Sequence, residues 1–553
     1  MNSRTSNKQS DRPKGETLVW LSSAGLALGV LMVVFLLGLI IWEGLNVFWP
    51  KAVVEVTLKE DSHYKMGELP NLAGVVVKRQ KNTRTGLEEW QMLTGNKDAY
   101  GAMFKYITRE HVISQSFPED VIVAERMEYG NSIFFPVSLQ LRNGSKLTAE
   151  DSEFLTRFEQ AIKEVRNRYH EIHKLEKNTI GKINREVNAL TIKQRLFERE
   201  QAEGKTLHEK DLKEVQERLA VLQAEFDVLA AEAKRLRAMQ NDEVVEYRLS
   251  SGQVRSQPTG DFVGFHLPNQ MGLLDKIGFF IRHIWAFLSE RPREANTEGG
   301  IFPAIFGTFV MTVLMSAAVM PFGVVAAIYL QEYARQGAFV RGVRIAINNL
   351  AGVPSIVYGV FGLGFFVYMV GGTIDQLFFS DRLPTATFGT GGILWASLTL
   401  AIMTVPVVIV ATEEALTAVP RGAREASLAC GASKWQTIQR IVLPASAPGI
   451  LTGLILAMAR GAGEVAPLMI VGVVKLAPSL PIDGVFPYFH LERKFMHLGF
   501  HIYDLGFQSP DSEAARPMVF ATTFLLILLV VVLNLGAILI RNHLRKKYAT
   551  STF

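Results

Sequence analysis

The 553 residues are 48% hydrophobic and 20% charged, too apolar for an ordinary soluble protein and too charged to lie wholly in a bilayer, so two phases are mixed. A single cysteine, Cys430, excludes an intramolecular disulfide and any multi-cysteine metal site. The net charge of +5 is small for this length, and the basic residues at both ends flank apolar stretches, which points to orientation in a membrane and away from nucleic acid.

Residues 1–16 are polar and carry Arg4, Lys8, Arg12 and Lys14, and residues 17–42 are apolar. A helix needs ~20 residues to cross a bilayer. A secretory leader would have an apolar region of about 7–15 residues and a small-residue cleavage site. This stretch is longer and ends in IIWEGL, so the expectation is a retained anchor with its N-terminus inside.

From 50 to 270 the composition is that of a soluble domain. Short apolar runs alternate with turn residues: Val75–Lys78, Val121–Ala124 and Ile133–Leu141, the last followed by RNGSK with its Asn-Gly turn. This is the pattern of a β-rich domain. Residues 148–241 lack proline and are dense in Glu, Lys and Arg. One apolar series runs Leu155, Phe158, Ile162, Val165, Tyr169, Ile172 and, after a phase slip, Ile183, Val187, Leu190. A second runs Leu212, Val215, Leu219, Leu222, Phe226, Leu229, Ala233, Leu236. Alternating steps of three and four form a heptad seam, and Gly204 between the series suits an antiparallel coiled-coil hairpin. The alternative is one long helix that pairs with another chain. EVVEYRLSSGQVRSQP then reads as returning strands, which makes the helices an insertion in the β domain. Residues 273–288 are apolar on a broad face but interrupted by Lys276, Arg282 and His283, which suits an interfacial helix.

Five further spans follow: 301–330, 345–370, 391–410, 448–474 and 517–540. With the anchor they make a six-helix membrane protein. Lysine and arginine orient it: QEYARQGAFVRGVR, the loop 412–445 and the tail 541–553 fall inside, and the domain at 50–270 falls outside.

The loop 412–445 is charged yet lies between two spans, so it must lie on a membrane face. Within it, Glu425 and Ala426 are followed by Gly431, then Ile441, then Leu443 and Pro444. This spacing matches the EAA loop of ABC importer permeases, with Gly431 as hinge between two short helices and Pro444 ending the second. TEEALTAVPRGAREASLACGASKWQTIQRIVLPASAPGILTG, ARGAGEVAPL, NNLAGVPSIVYGVFGLG and GGIFPAIFGT together resemble the A-type permeases of the phosphate-specific (Pst) importers. The resemblance covers about 273–546 and the first anchor, and leaves the external domain uncovered. Many members carry arginine where this chain has Val410.

The resemblance implies that the Glu425–Pro444 loop docks on a separate ATPase. It also implies a second related permease, two ATPase copies that bind the ATP and magnesium, and a periplasmic phosphate-binding protein. No GxxxxGK[ST] loop occurs, so no cofactor is expected in this chain.

Arg460 and Glu464 lie four apart inside the fifth apolar span. Burying either charge costs at least roughly 2.5–3.5 kcal/mol, so each must face a partner or a wet pathway. A guanidinium fork suits a tetrahedral oxyanion. Gly461 and Gly463 thin the helix between them. Family members have Arg and Glu at the matching positions, and the resemblance implies a role in moving phosphate. The opposing explanation is a buried pair that only fixes helix packing. Asn348 and Asn349, near the inner end of the third span with Gly352 and Pro354, are weaker pathway candidates.

His497 and His501, with His490 and Glu492 nearby, lack a complete ligand set and read as a solvated interfacial pair. The reading that follows is a phosphate importer permease of the bacterial inner membrane, with sulfate or molybdate as the alternative cargo. A membrane sensor or scaffold acting through the coiled coil is the rival from another class.

Overall fold

The computed structural model describes residues 17–60, 62, 64, 66–83, 85–202, 209–293, 296–509 and 512–549. The polar 1–16 segment and the turn at Gly204 lie outside the described residues. Among those described, six helices are long and apolar enough to cross a membrane: Val19–Asn46, Phe302–Tyr333, Ser355–Phe378, Ile393–Thr417, Lys434–Ala462 and Ser512–Lys547. They are called the first to sixth spans below. The second, fourth and fifth pack around Met311, Met315, Leu400, Met403 and Ala457. The first packs on the sixth, where Gly44 lies against the Phe520 carbonyl, and its remaining surface is exposed.

Between the first and second spans stands the β-rich domain. Its strands are β1 (Val54–Leu58), β2 (Asn71–Lys81), β3 (Glu88–Leu93), β4 (Phe104–Thr108), β5 (Val112–Ser116), β6 (Ile122–Arg126), β7 (Ser132–Gln140), β8 (Lys146–Thr148), β9 (Val244–Arg248), β10 (Val254–Pro258) and β11 (Phe262–His266). One antiparallel sheet has the order β4-β3-β2-β1-β5, and the other β10-β9-β7-β6-β11 with β8 on β7. Alternation along the strands sends Val56, Leu72, Met92 and Ile107 of one sheet and Ile122, Phe134, Leu139 and Tyr247 of the other into a shared core. The β7–β8 hairpin turns at Asn143 and Gly144, whose φ of +82° is open to glycine at little cost. The chain then leaves the sheet for two long helices and returns as β9, which pairs with β7 at Ser138 and Glu246.

Those helices are antiparallel. Phe154–Lys174 runs through a wide π turn, Leu175–Ile180, into Gly181–Ala202, and Glu209–Ala238 comes back along it. The pairs Glu186–Arg218 at 2.8 Å and Glu176–Arg237 at 2.6 Å fix the antiparallel sense. The wide turn absorbs the phase slip between Ile172 and Ile183, keeping both buried. The N-terminal half of the first helix differs from a coiled-coil seam. Phe154, Phe158 and Ile162 belong to the β-domain core, while Leu155 and Tyr169 are exposed. The sheets supply a larger apolar surface than a second helix, so the helix turns that face to them.

The hairpin also touches the membrane core. Lys177 donates to the Pro478 carbonyl at 2.5 Å, and Gly181–Ala202 packs against the Ser380–Arg382 turn beyond the third span. The first sheet meets the start of the sixth span, where Gln91 donates to Glu513 at 3.0 Å and Tyr106 donates to the same carboxylate.

The third, fourth and fifth spans depart from the boundaries that hydropathy suggests. Residues 345–350 belong to a separate amphipathic helix, Ala338–Leu350, pinned to the fourth span through Arg344 and Glu413 at 3.1 Å. Pro354 disfavours helix at Val353, so the crossing helix begins at Ser355. The fifth span starts earlier, at Lys434, and passes straight through Pro444. A wide turn at Ile438–Val442 already interrupts the i to i−4 ladder there, so the N–H that Pro444 lacks costs little and the proline does not end the helix. The helix stops at Ala462, and after a break at Gly463–Val465 a short helix, Ala466–Val471, follows. The loop expected at 412–445 loses its first residues to the fourth span, which is helical to Thr417.

Candidate functional site

The hinged segment is built locally. Arg421–Ala429 is a short helix begun by Pro420, and the backbone then turns at Gly431 with φ +84°. Nothing lies within 4 Å of where a Cβ would stand at Gly431, so the left-handed backbone, and no crowding, calls for glycine there. Ser433 restarts the helix: its hydroxyl accepts from the Gln436 amide at 3.2 Å, while the Gln436 side chain accepts from the Ser433 amide at 2.8 Å. This reciprocal capping box satisfies two donors that a helix start leaves open. The Ser427 and Thr437 hydroxyls, 2.9 Å apart, tie the two helices together.

Long-range contacts fix the pair to the spans. Arg424 bonds Glu332, at the end of the second span, at 2.7 Å and also donates to the Leu416 carbonyl. Lys434 donates to the Glu332 carbonyl and lies 4.9 Å over the Tyr333 ring. Glu425 and Ala426 are exposed, as are Leu428 (49%), Trp435 (55%) and Ile441 (37%). Leu443 packs beneath, against the cluster of Ile328, Leu416 and Ile438, and Pro444 lies half-buried inside the helix. Glu425, Ala426, Gly431 and Ile441 are therefore each exposed, whereas Leu443 and Pro444 are half-buried. Leu428, Trp435, Arg424 and Glu332 were not among the residues that the motif singles out. Arg424 and Glu332 are 92 positions apart, a separation no local spacing reveals.

Arg460 and Glu464 sit at the break in the fifth span. Arg460 is in the last turn of the helix and Glu464 lies beyond its end, with Nε and Oε1 3.9 Å apart and side chains 38% and 23% exposed. They do not share one face of a continuous helix. Gly461 lets Met315 of the second span lie where a Cβ would be, 2.3 Å from its sulfur. Gly463 ends the helix in open surroundings. Just past the break, Pro467 packs on Gly359 of the third span. The neighbouring Tyr358 donates to the Leu350 carbonyl at 2.8 Å. Asn348 and Asn349 occupy the last turn of Ala338–Leu350 and are exposed. The interrupted third and fifth spans thus meet around Tyr358 and Pro467.

The outer histidines are not a solvated pair. His497 and His501 are buried, because Gly307 admits the Met496 carbonyl against the second span and the Thr308 hydroxyl receives the Leu498 amide at 2.9 Å. Burial pushes His497 down to about 3 and His501 to about 4, so both are neutral. His490 is engaged elsewhere, with Asp483 at 3.1 Å and Glu492 at 3.3 Å.

Six crossing helices, a short hinged helix pair held between the second and fourth spans, and charged residues at a helix break define a polytopic membrane transport component. The chain matches the family described as "Binding-protein-dependent transport system inner membrane component" over residues 319–549. It is 34% identical over 243 residues to the "Phosphate transport system permease protein PstA 1" of Mycobacterium tuberculosis, covering 44% of this chain and 71% of that one. The "Phosphate transport system permease protein PstA" of Mycobacterium leprae is 38% identical over 172 residues, 31% of this chain and 51% of the relative. "Probable ABC transporter permease protein YqgH" of Bacillus subtilis is 31% identical over 198 residues, 35% of this chain and 60% of the relative. The chain thus spans between half and seven tenths of the length of these three relatives. It belongs to the family of binding-protein-dependent inner-membrane transport components, in the group of PstA permeases.

Proposed function

We propose that this chain is a permease subunit of an ATP-driven phosphate importer, and that it forms half of the pathway with a second, related permease. The observation that carries the reading is the hinged pair. Its exposed Glu425, Ala426, Leu428 and Trp435 form a surface with polar and apolar parts, mounted by Arg424 and Lys434 on the end of the second span. A separate ATPase dimer, which binds the ATP and magnesium, docks there and moves the spans through this mount. The chain itself is not the enzyme.

Lysine and arginine distribution supports placing this segment and both termini in the cytoplasm and the β-rich domain in the periplasm, where the phosphate-binding protein delivers its cargo. Arg460 meets the anion transiently at the helix break, with Glu464 keeping the arginine from holding it too tightly. The names of the relatives support phosphate over sulfate or molybdate. The test is ATP-dependent uptake of labelled phosphate by the purified complex in proteoliposomes, with unlabelled sulfate and molybdate as competitors. Uptake blocked by sulfate or molybdate as well as by phosphate overturns the assignment of cargo. No uptake with an active ATPase overturns the transport reading.

A further inference from the structure

The helix Leu273–Ser289 joins the β-rich domain to the second span, and it has three distinct sides. At 100° per residue, Leu273, Ile277, Ile281, Leu274 and Trp285 fall within about 120° of arc. All five are exposed, Leu274 at 84%, Trp285 at 70% and Ile281 at 61%. The next part of the circumference carries Gly278, Arg282 and Asp275, also exposed but polar or bare. The rest faces protein: Phe280 lies 5.9 Å from Trp49 and Phe287 5.1 Å from Phe48, ring to ring.

These contacts settle where the helix lies. Phe48 and Trp49 directly follow the end of the first span at Asn46. At the other end, the Ile301 amide donates to the Phe287 carbonyl at 2.8 Å and the Phe302 amide to the Glu290 carbonyl at 3.2 Å, so the helix is hydrogen-bonded to the start of the second span. Its exposed apolar stripe is therefore level with the ends of two membrane-crossing helices. On the protein side it is fastened to the rest of the external domain. Glu125 of β6 receives Arg293 at 3.2 Å and lies 3.3 Å from His283, and Glu290 receives Arg293 at 3.1 Å and Arg166 of the helical hairpin at 2.7 Å.

We propose that Leu273–Ser289 is a foot seated in the bilayer that fixes the height and attitude of the external domain. The stripe Leu273, Leu274, Ile277, Ile281 and Trp285 enters the acyl-chain border of the outer leaflet, and Arg282 meets lipid phosphate at its edge. A helix with one apolar face, one polar face and no room to span is the form that binds a lipid surface. Bolted through Glu125 and Glu290, it holds the sheets and the hairpin over the outer ends of the spans. The inference is independent of which solute is carried.

The test uses the full chain, with the subunits that purify with it, in phosphatidylcholine and phosphatidylglycerol nanodiscs. In a Cys430→Ser background, a nitroxide is attached at Ile277→Cys, Ile281→Cys or Trp285→Cys, and for comparison at Gly278→Cys or Arg282→Cys. Collision with oxygen, which concentrates in lipid, and with a water-soluble nickel chelate is read by electron paramagnetic resonance. The stripe positions are expected to collide with the chelate at least about threefold less often, and with oxygen more often, than positions 278 and 282. Equal chelate collision at all five positions overturns the proposal in favour of a solvated helix. Stripe positions shielded from both reagents overturn it in favour of a protein occupant.

Discussion

Replacing Arg460 by glutamine separates the two roles open to the residue. The 3.9 Å separation from Glu464 exceeds hydrogen-bond length, and Arg460 is 38% exposed. An ion pair at that distance gives roughly 4 kcal/mol at an effective dielectric of about 20. Exposure and side-chain entropy reduce the net value of such a pair to about 1 kcal/mol or less. The membrane-inserted level and melting temperature of Arg460→Gln should therefore stay close to wild type. A charge-assisted hydrogen bond to an anion is worth about 1.5–3 kcal/mol, which converts to a loss of roughly 10- to 150-fold in uptake efficiency. The assay is initial-rate phosphate uptake in proteoliposomes, normalised to inserted protein, with ATPase activity measured in parallel. Uptake within twofold of wild type would refute the anion contact. A fall in uptake that follows an equal fall in assembled protein would refute it too, and would assign the pair to helix packing.

Glu464→Gln should act the other way: with the counter-charge gone the arginine holds the anion longer, so apparent affinity for phosphate rises while turnover falls, read as a lower KM with a lower kcat. Trp435→Ala should leave the melting temperature unchanged because the ring is 55% exposed, yet lower ATP-driven uptake by about tenfold or more if it anchors the ATPase, with weaker co-purification of that subunit. Alanine at Gly307 and at Gly461 should differ. At Gly307 the new Cβ lies 2.1 Å from the Met496 backbone oxygen, so main chain must move at about 1–3 kcal/mol or more, whereas at Gly461 it meets the flexible Met315 thioether and costs less; thermal melts of the two variants in detergent decide this. The buried histidines add a pH dependence. His501 is held neutral at about 4, below its ordinary value of 6.5, so the unfolded chain binds the extra proton and stability falls as pH drops from 6.5 to 4, by on the order of 3 kcal/mol for this residue. Melts at pH 7, 5.5 and 4 should show the loss, and His501→Asn should reduce it by this residue's share while the share of His497 remains.

What the residue pattern disclosed and what it concealed follow from the range of the interactions. Membrane crossing is declared by each stretch on its own, so six spans were legible, and so was the hinge at Gly431, whose motif fits within twenty positions. Gly463–Val465 passed as part of a continuous span because the apolar residues on either side outweigh Glu464 in the hydropathy of the stretch. Pro467, which lacks an N–H and disfavours helix at the residue before it, marks the break locally, and it packs on Gly359 of the third span, more than a hundred positions away in sequence. The helix at Ala338–Leu350 merged with the third span because Ile345, Ala346, Ile347 and Leu350 extend the apolar stretch toward it, whereas Pro354 and the Arg344–Glu413 pair set it apart. His497 and His501 looked like surface residues because their burial depends on the space that Gly307 leaves on the second span.

The break in the fifth span also alters the chemistry of Arg460. On an unbroken helix the guanidinium would have Glu464 alone for compensation. In the last turn of the helix it also lies near the negative end of the macrodipole, which favours a cation. The arginine is therefore partly compensated from its own helix before any anion arrives. Under the proposed function that balance suits transient binding: enough positive charge to attract the anion, and enough competition from the macrodipole and Glu464 to release it. The glycines at 461 and 463 serve this arrangement by different means, the first by admitting Met315 close to the helix and the second by ending the helix where the arginine needs its terminus.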